Sequence, residues 1–201
     1  METTALVFQG VQNDFCDPSG RLYPMLKAQL ERRGTLAALR RLVDGFLARQ
    51  QPVFFVPIEF TPDYREIARA EGVLGLIREK RALSRGSRGA APIDSFTPLL
   101  ERVTVVQAKR GLCAFGTTPL HELLQAASVS TVVVAGLLTN VCVETTARSA
   151  YDLGYRVVMV PEATATRSDA EQDASERYAF PLLGASLGVS AVLQQLDPPA
   201  P

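Results

Sequence analysis

Short apolar runs that alternate with helical patterns leave this chain few folds to choose from. The runs lie at Thr4–Gln9, Pro52–Ile58, Val103–Ala108, Thr131–Ala135 and Arg156–Val160. Most are continuously apolar, the pattern of strands buried on both faces of a parallel sheet. Between them, Leu26, Leu30, Leu39, Leu42, Val43 and Phe46 recur at helical spacing, and Pro119–Ala127, Val143–Leu153 and Ala170–Leu183 read as further helices. Strands alternating with helices predict an α/β fold with right-handed crossovers. At 201 residues, 47% of them apolar, the chain has material for one domain, 1–201, with a sizeable core. Residues 59–98 break the rhythm. They are rich in Arg, Gly, Ser and Pro, with a short helix expected around Tyr64–Ile77 and a loop at Ser84-Arg85-Gly86-Ser87-Arg88-Gly89. Such a stretch reads as a lid or substrate loop, or as a plain surface insertion. Asp197–Pro201 reads as a frayed tail.

Lys plus Arg equals Asp plus Glu, 21 of each, so the chain carries no electrostatic case for nucleic acid or an anionic membrane. No apolar run approaches the roughly 20 residues that span a bilayer. The start, Met-Glu-Thr-Thr, lacks a basic leader, so a cytoplasmic location is expected. The three cysteines, Cys16, Cys113 and Cys142, have neither disulfide-framework nor zinc spacing. With His121 the single histidine, a His-rich metal site is excluded and any Cys-His pair must use it. No metal and no cofactor are expected, and the expected partner is a small-molecule substrate.

The segment from Gly136 through Cys142 to Ala147 carries the most chemistry. The run Val129–Ala135 ends in a small polar turn, then the cysteine, then a helical stretch through Leu153. That is strand, turn and helix, with the thiol expected on the helix's first turn. Unpaired N–H groups there favour negative charge on sulfur and can hold an oxyanion during acyl transfer. In a parallel sheet the strand carboxyl ends share one edge. The first strand would bring Gln9, Gly10 and the loop to Cys16 there. The third would bring Lys109, Arg110 and the loop to Phe115, and the fourth would bring Cys142.

Three blocks carry a family resemblance: Val11-Gln12-Asn13-Asp14-Phe15; Lys109-Arg110 with Ala114-Phe115-Gly116-Thr117 and Leu120; and Gly136 through Cys142-Val143-Glu144-Thr145-Thr146-Ala147-Arg148, continuing to Arg156. On these the chain resembles the isochorismatase-like cysteine hydrolases from about Ala5 to Gly188. The resemblance implies a three-layer α/β sandwich with a six-stranded, mostly parallel sheet and helices on both faces. It also implies an Asp-Lys-Cys triad in which the cysteine attacks a carbonyl carbon, the aspartate shuttles the proton and the lysine holds the charges. Carried over, Cys142 is the nucleophile and Lys109 the lysine. The cis peptide would be Leu138–Thr139, and the oxyanion hole the N–H groups of Thr139 and Cys142. Family members commonly assemble, so a homodimer or larger homo-oligomer is expected.

The aspartate does not carry over, because its position holds Gly10. A positioned proton-transfer group contributes about 10²–10⁴ in rate, so a substitute matters. Asp14 matches an acid the family reads as structural. Gln9 is no base but can orient a water. Glu59 follows the second strand at the same edge and is the best protein candidate, against a plain salt-bridged loop carboxylate. A substrate carboxylate above Gly10 is the fourth route. Phe15, Phe60, Phe115 and Leu138 are candidate pocket walls or core residues. Arg85 and Arg88 are candidate carboxylate anchors or solvated charges. Cys16 and Cys113 read as small packed residues near the edge, and His121 as a helix-surface residue. The stretch Ile58–Tyr64 has no histidine, which counts against the metal-dependent nicotinamidase-like branch, and Gly10 counts against vinyl ether cleavage. Three readings follow: a cysteine hydrolase acting on a small amide, ester or imide through a Cys142 acyl-enzyme; a silent metabolite- or partner-binding pseudoenzyme; or a non-hydrolytic biosynthetic enzyme using the same cleft. Gly10→Asp is the variant expected to separate the first two.

Overall fold

The computed structural model of the chain describes residues 3–197, so the expected tail lies outside the described residues from Pro198 onward. In chain order the elements are β1 (Thr3–Gln9), α1 (Asn13–Cys16), α2 (Lys27–Arg33), α3 (Thr35–Ala48), β2 (Val53–Val56), α4 (Gly72–Glu79), β3 (Thr104–Val105) and α5 (Leu120–Ala126). They continue with β4 (Val129–Leu137), α6 (Glu144–Asp152), β5 (Arg156–Ala165), α7 (Asp169–Ala174), α8 (Phe180–Leu183), β6 (Ala185–Ser186) and α9 (Val189–Gln195). The six strands form one parallel sheet in the order β3-β2-β1-β4-β5-β6.

Alternation of side chains along each strand splits the core in two. Leu6, Phe8, Phe55, Val133 and Val158 pack against Leu39, Val43, Phe46 and Val192 of α3 and α9. Ala5, Val7, Phe54, Val134 and Met159 face Leu124, Ala147, Ala150 and Phe180 of α5, α6 and α8. Both faces of the central strands are therefore covered, which is why their sequences are apolar without alternation. The strand order reverses between β1 and β4. At such a switch point the connections diverge to opposite sides of the sheet and leave a crevice beyond the carboxyl ends. The register Gln9↔Gly136 places those two ends side by side.

Several local expectations are corrected. The third run pairs over only two residues, Thr104–Val105, and meets the second run again only at the single bridge from Lys109 to Ile58, just past Ala108 with its φ of 75. The helix expected around Tyr64–Ile77 is instead Gly72–Glu79; Tyr64 has φ 55, incompatible with a helix, and donates its hydroxyl to the Ala82 carbonyl at 2.9 Å. The long helix from Ala170 is divided by a π-type turn at Ser175–Ala179. β6 is the sixth strand that the resemblance implies, although no apolar run marks it, because a two-residue strand leaves no periodicity to read. Residues 59–98 contribute Phe60, Tyr64, Ile67, Ile77, Leu83, Ile93 and Phe96 to the core. They are tied down by bridges from Gln12 to Pro92 and from Phe60 to Ser84. Among the described residues no helix is long and apolar enough to cross a membrane.

Candidate active site

β1 runs straight into Gly10, whose φ is 75. A Cβ placed there would lie 2.7 Å from the Leu137 carbonyl oxygen and 2.9 Å from the Leu137 Cβ. Position 10 therefore demands glycine twice over, for its backbone angle and for the closeness of β4. The open corner expected above Gly10, and the substrate carboxylate expected to fill it, are corrected by this contact: Leu137 occupies the direction a side chain would take.

The residue before it does what position 10 cannot. Gln9 is fully buried on the face shared with Ala5 and Val7. Its Oε1 accepts a hydrogen bond from the Lys109 Nζ at 2.7 Å, and its Nε2 donates to the Thr146 Oγ1 at 3.2 Å. Lys109 is 1% exposed, so its cation is held away from water. Its backbone bridges to Ile58, and its carbonyl accepts from the Glu59 N–H at 3.2 Å. Thr146 also accepts from the Ala114 N–H at 3.0 Å, which fastens the loop after Lys109 to α6. The amide of Gln9 thus joins three segments: β1, the Lys109 loop and the helix that follows Cys142.

Cys142 is buried in a π-type turn, Thr139–Val143, that precedes α6. The expectation of a thiol on the first α-helical turn is corrected to this wider turn, in which the Leu138 carbonyl accepts from the N–H groups of Val141 and Val143. Cys142 stands four residues, about one turn, before Thr146. The cis peptide is Leu137–Leu138, not Leu138–Thr139. β4 still pairs at Leu137, with Ala165, so the chain leaves the sheet there, and Leu138 is already the extended residue that enters the turn. From the other side, the Thr139 hydroxyl donates to the Gln172 Oε1 at 2.7 Å, and Gln172 donates to Thr164 and Glu176. The Asn140 Oδ1 accepts from the Thr166 hydroxyl at 2.6 Å.

The remaining candidates are placed as follows. The Glu59 carboxylate pairs with Arg85 at 2.7 Å. Arg88 is paired with Asp17 at 3.0 Å and donates to Ser19, and that guanidinium holds the half-buried Asp17 carboxyl well below the usual range. Phe15, Phe60 and Leu138 are buried in the core on the α3 side of the sheet. Phe115, half-buried, stacks on Tyr155 with ring centroids 6.3 Å apart. His121 meets the Tyr155 hydroxyl through its Nδ1 at 2.9 Å. Cys113 donates to the Ser149 hydroxyl at 3.1 Å. The Cys16 thiol points at the Gly10 carbonyl, and burial pushes it up to about 12. Asp14 accepts from the N–H groups of Arg21 and Leu83. Among the described residues no group of three or more His, Cys, Asp or Glu side chains clusters as metal ligands. Sequence reasoning gave no role to Thr146 or Gln172. Thr146 carries a signal, its place one turn after the cysteine, whereas nothing local marks Gln172.

The family model described as the Isochorismatase domain matches residues 4–189. An uncharacterised isochorismatase family protein, YwoC of Bacillus subtilis, is 29% identical over 97% of this chain and 95% of its own length. The ureidoacrylate amidohydrolase RutB of Methylobacterium radiotolerans is 30% identical over 81% of this chain and 67% of its own. Among solved structures, a cysteine hydrolase from Pseudomonas syringae superposes with a TM-score of 0.80 at 23% identity, covering 96% of this chain and 92% of that one. N-carbamoylsarcosine amidase from Thermoplasma acidophilum gives a TM-score of 0.72 at 26% identity, covering 93% of this chain and 96% of that one.

Proposed function

The chain belongs to the isochorismatase family, and from that premise we propose that it is a cysteine hydrolase working through an acyl-enzyme on Cys142. The substrate class is a small amide, ester or imide, in keeping with the C–N bond hydrolases among its relatives. Cys142 attacks the acyl carbon. The N–H groups of Thr139 and Cys142 take the charge that develops on the carbonyl oxygen. Lys109 offsets the negative charge on sulfur, and water then releases the acyl group. One observation carries this reading: a cation as buried as Lys109 is held at 2.7 Å by Gln9 and linked through Thr146 to the helix behind the cysteine. Burying an ammonium group without a carboxylate costs several kcal/mol, a cost that function rather than stability explains.

A second reading, a binding protein that does not turn over its ligand, is favoured by Gln9 standing where a carboxylate would be useful. The variant that separates the two is Gln9→Glu, in place of Gly10→Asp, whose Cβ would have to displace Leu137. The test of the main reading is covalent: incubation with a small activated ester, then intact mass and peptide mapping. An acyl adduct on Cys142 and loss of turnover in Cys142→Ala are expected. Turnover that persists in Cys142→Ala refutes the reading.

A further inference from the structure

We propose that this site is matched to acyl donors whose leaving group departs as a stable anion, thioesters and aryl esters, rather than to simple amides. The proposal rests on Cys142 being the nucleophile and concerns which bond it opens.

The argument is an inventory of protons. The group against the Lys109 Nζ is a primary amide with both polar atoms engaged, Oε1 by Lys109 and Nε2 by Thr146. An amide neither takes up nor releases a proton near neutral pH. The carboxylates on the segments that build this edge are committed elsewhere. Asp14 accepts from the backbone N–H groups of Arg21 at 3.1 Å and Leu83 at 2.6 Å. Glu59 is paired with Arg85 and Glu144 with Arg148. Glu171 is held by Arg167 and the Thr166 hydroxyl, which keep it below the usual carboxylate range. Position 10 cannot supply an acid, because its Cβ would meet the Leu137 carbonyl oxygen at 2.7 Å. His121 is turned to Tyr155. Lys109 is then the one ionisable side chain of the Gln9–Thr146 network. At 1% exposure it has almost no contact with solvent from which to recover a proton it gives away.

That inventory suits charge stabilisation and not proton relay. The thiolate of Cys142 forms a bond to the acyl carbon while the carbonyl π pair moves to oxygen. The pair returns as the bond to the leaving group breaks. A departing thiolate or phenolate carries that pair away and is protonated in solvent, whereas an amine must be protonated before the C–N bond breaks. Water then opens the Cys142 thioester. For a thioester donor the balance is one water consumed, with one carboxylate, one thiol and one proton released.

The experiment uses the full chain and two matched acyl series, acetyl and benzoyl, each as aryl thioester, p-nitrophenyl ester and anilide. For the wild type, kcat/KM on the thioester should exceed that on the anilide by at least about 10²-fold more than their ratio in solution hydrolysis, the size of a missing proton-transfer group. Gln9→Glu, which places a carboxyl where the amide stands, should narrow that ratio by a similar factor through gain on the anilide. Wild-type rates on ring-substituted phenyl esters should rise steeply as the leaving group becomes less basic, a readout that stands even where Gln9→Glu fails to fold. A ratio no larger than in solution or a flat leaving-group dependence overturns the proposal. Turnover that survives Cys142→Ala refutes instead the assignment of the nucleophile, so the two failures are distinguishable.

Discussion

Upstream of Gly10, Gln9 sends its amide across the sheet edge to a buried cation; downstream, Gln12, Asn13 and Asp14 fasten residues 83–92. The partners differ in kind. Gln12 accepts from the Ile58 N–H at 3.0 Å and donates to the carbonyls of Ile58 and Ala90. Asn13 donates to the carbonyls of Arg88, Ala91 and Pro92. Asp14 takes backbone N–H groups. The downstream cluster thus satisfies main-chain groups of an irregular segment that has no ladder of its own, which is a stabilising task. The upstream cluster links side chain to side chain from Lys109 through Gln9 to Thr146, with one main-chain contact at the Ala114 N–H, and keeps a charge in a dry place, which favours chemistry over stability. Neighbours within one short motif can therefore divide structure from function at a single glycine.

The largest separation is expected from Lys109→Met. Loss of the cation should lower kcat/KM on a reactive ester by at least about 10²-fold, the usual size of a lost electrostatic stabiliser. Thermal stability should stay near the parent's, because relief of a buried ammonium offsets the unpaired Gln9 oxygen. A fall in Tm with little loss of rate would break the contrast. Asp14→Ala should behave in the opposite way. It orphans the buried Leu83 N–H at about 1–3 kcal/mol and removes the part-buried bond from Arg21, so a loss of about 2 kcal/mol and a drop of roughly 4–8 °C in Tm are expected. Calorimetry reads the second effect, and steady-state rates below Tm read whether chemistry is spared.

Much of the frame was legible because burial on both faces writes itself into composition. The apolar runs at Thr4–Gln9 and Thr131–Ala135 became β1 and β4, and the resemblance brought the sixth strand that no run announced. The site was legible only as a set of positions. Gly10 read as an absent side chain. Its positive φ and the nearness of Leu137 depend on how β1 and β4 pair, a contact 127 residues away in sequence. Gln9 likewise acquires its role only once Lys109 and Thr146 are brought to it from 100 and 137 residues away. Local pattern carries no information on such distances. Position 9 simply continued a strand whose alternation sends it to the α6 face.

Gly10→Ala tests the hinge between the clusters. The φ of 75 and the 2.7 Å approach to Leu137 should together cost about 1–3 kcal/mol. Because the strain falls on both β1 and β4, it should lower stability and catalytic rate together, unlike either variant above. Chemical denaturation alongside a rate measurement checks this. A substitution with neither effect would mean that the two clusters are not separated by this contact.

The smallest effect concerns the two thiols on either side of Gly10. Cys16 belongs to the downstream, structural side and is pushed from 9.0 up to about 12 by burial, its proton directed at the Gly10 carbonyl. In the unfolded chain the same thiol ionises above 9.0, so between pH 9 and 12 the unfolded state binds fewer protons than the folded one. The stabilisation is complete below pH 9 and is lost as pH rises through that window, by about 1.4 kcal/mol per unit. Comparing wild type with Cys16→Ser isolates the term: the wild type's unfolding free energy should fall more steeply between pH 9 and 10, by about 1 kcal/mol. Iodoacetamide at pH 8 should meanwhile label Cys142 well before Cys16, since a thiol that burial raises to about 12 holds almost no anion at that pH. Parallel pH profiles in the two proteins, or equal labelling of the two sulfurs, would place both cysteines in the same environment and dissolve the division between structural and chemical sides.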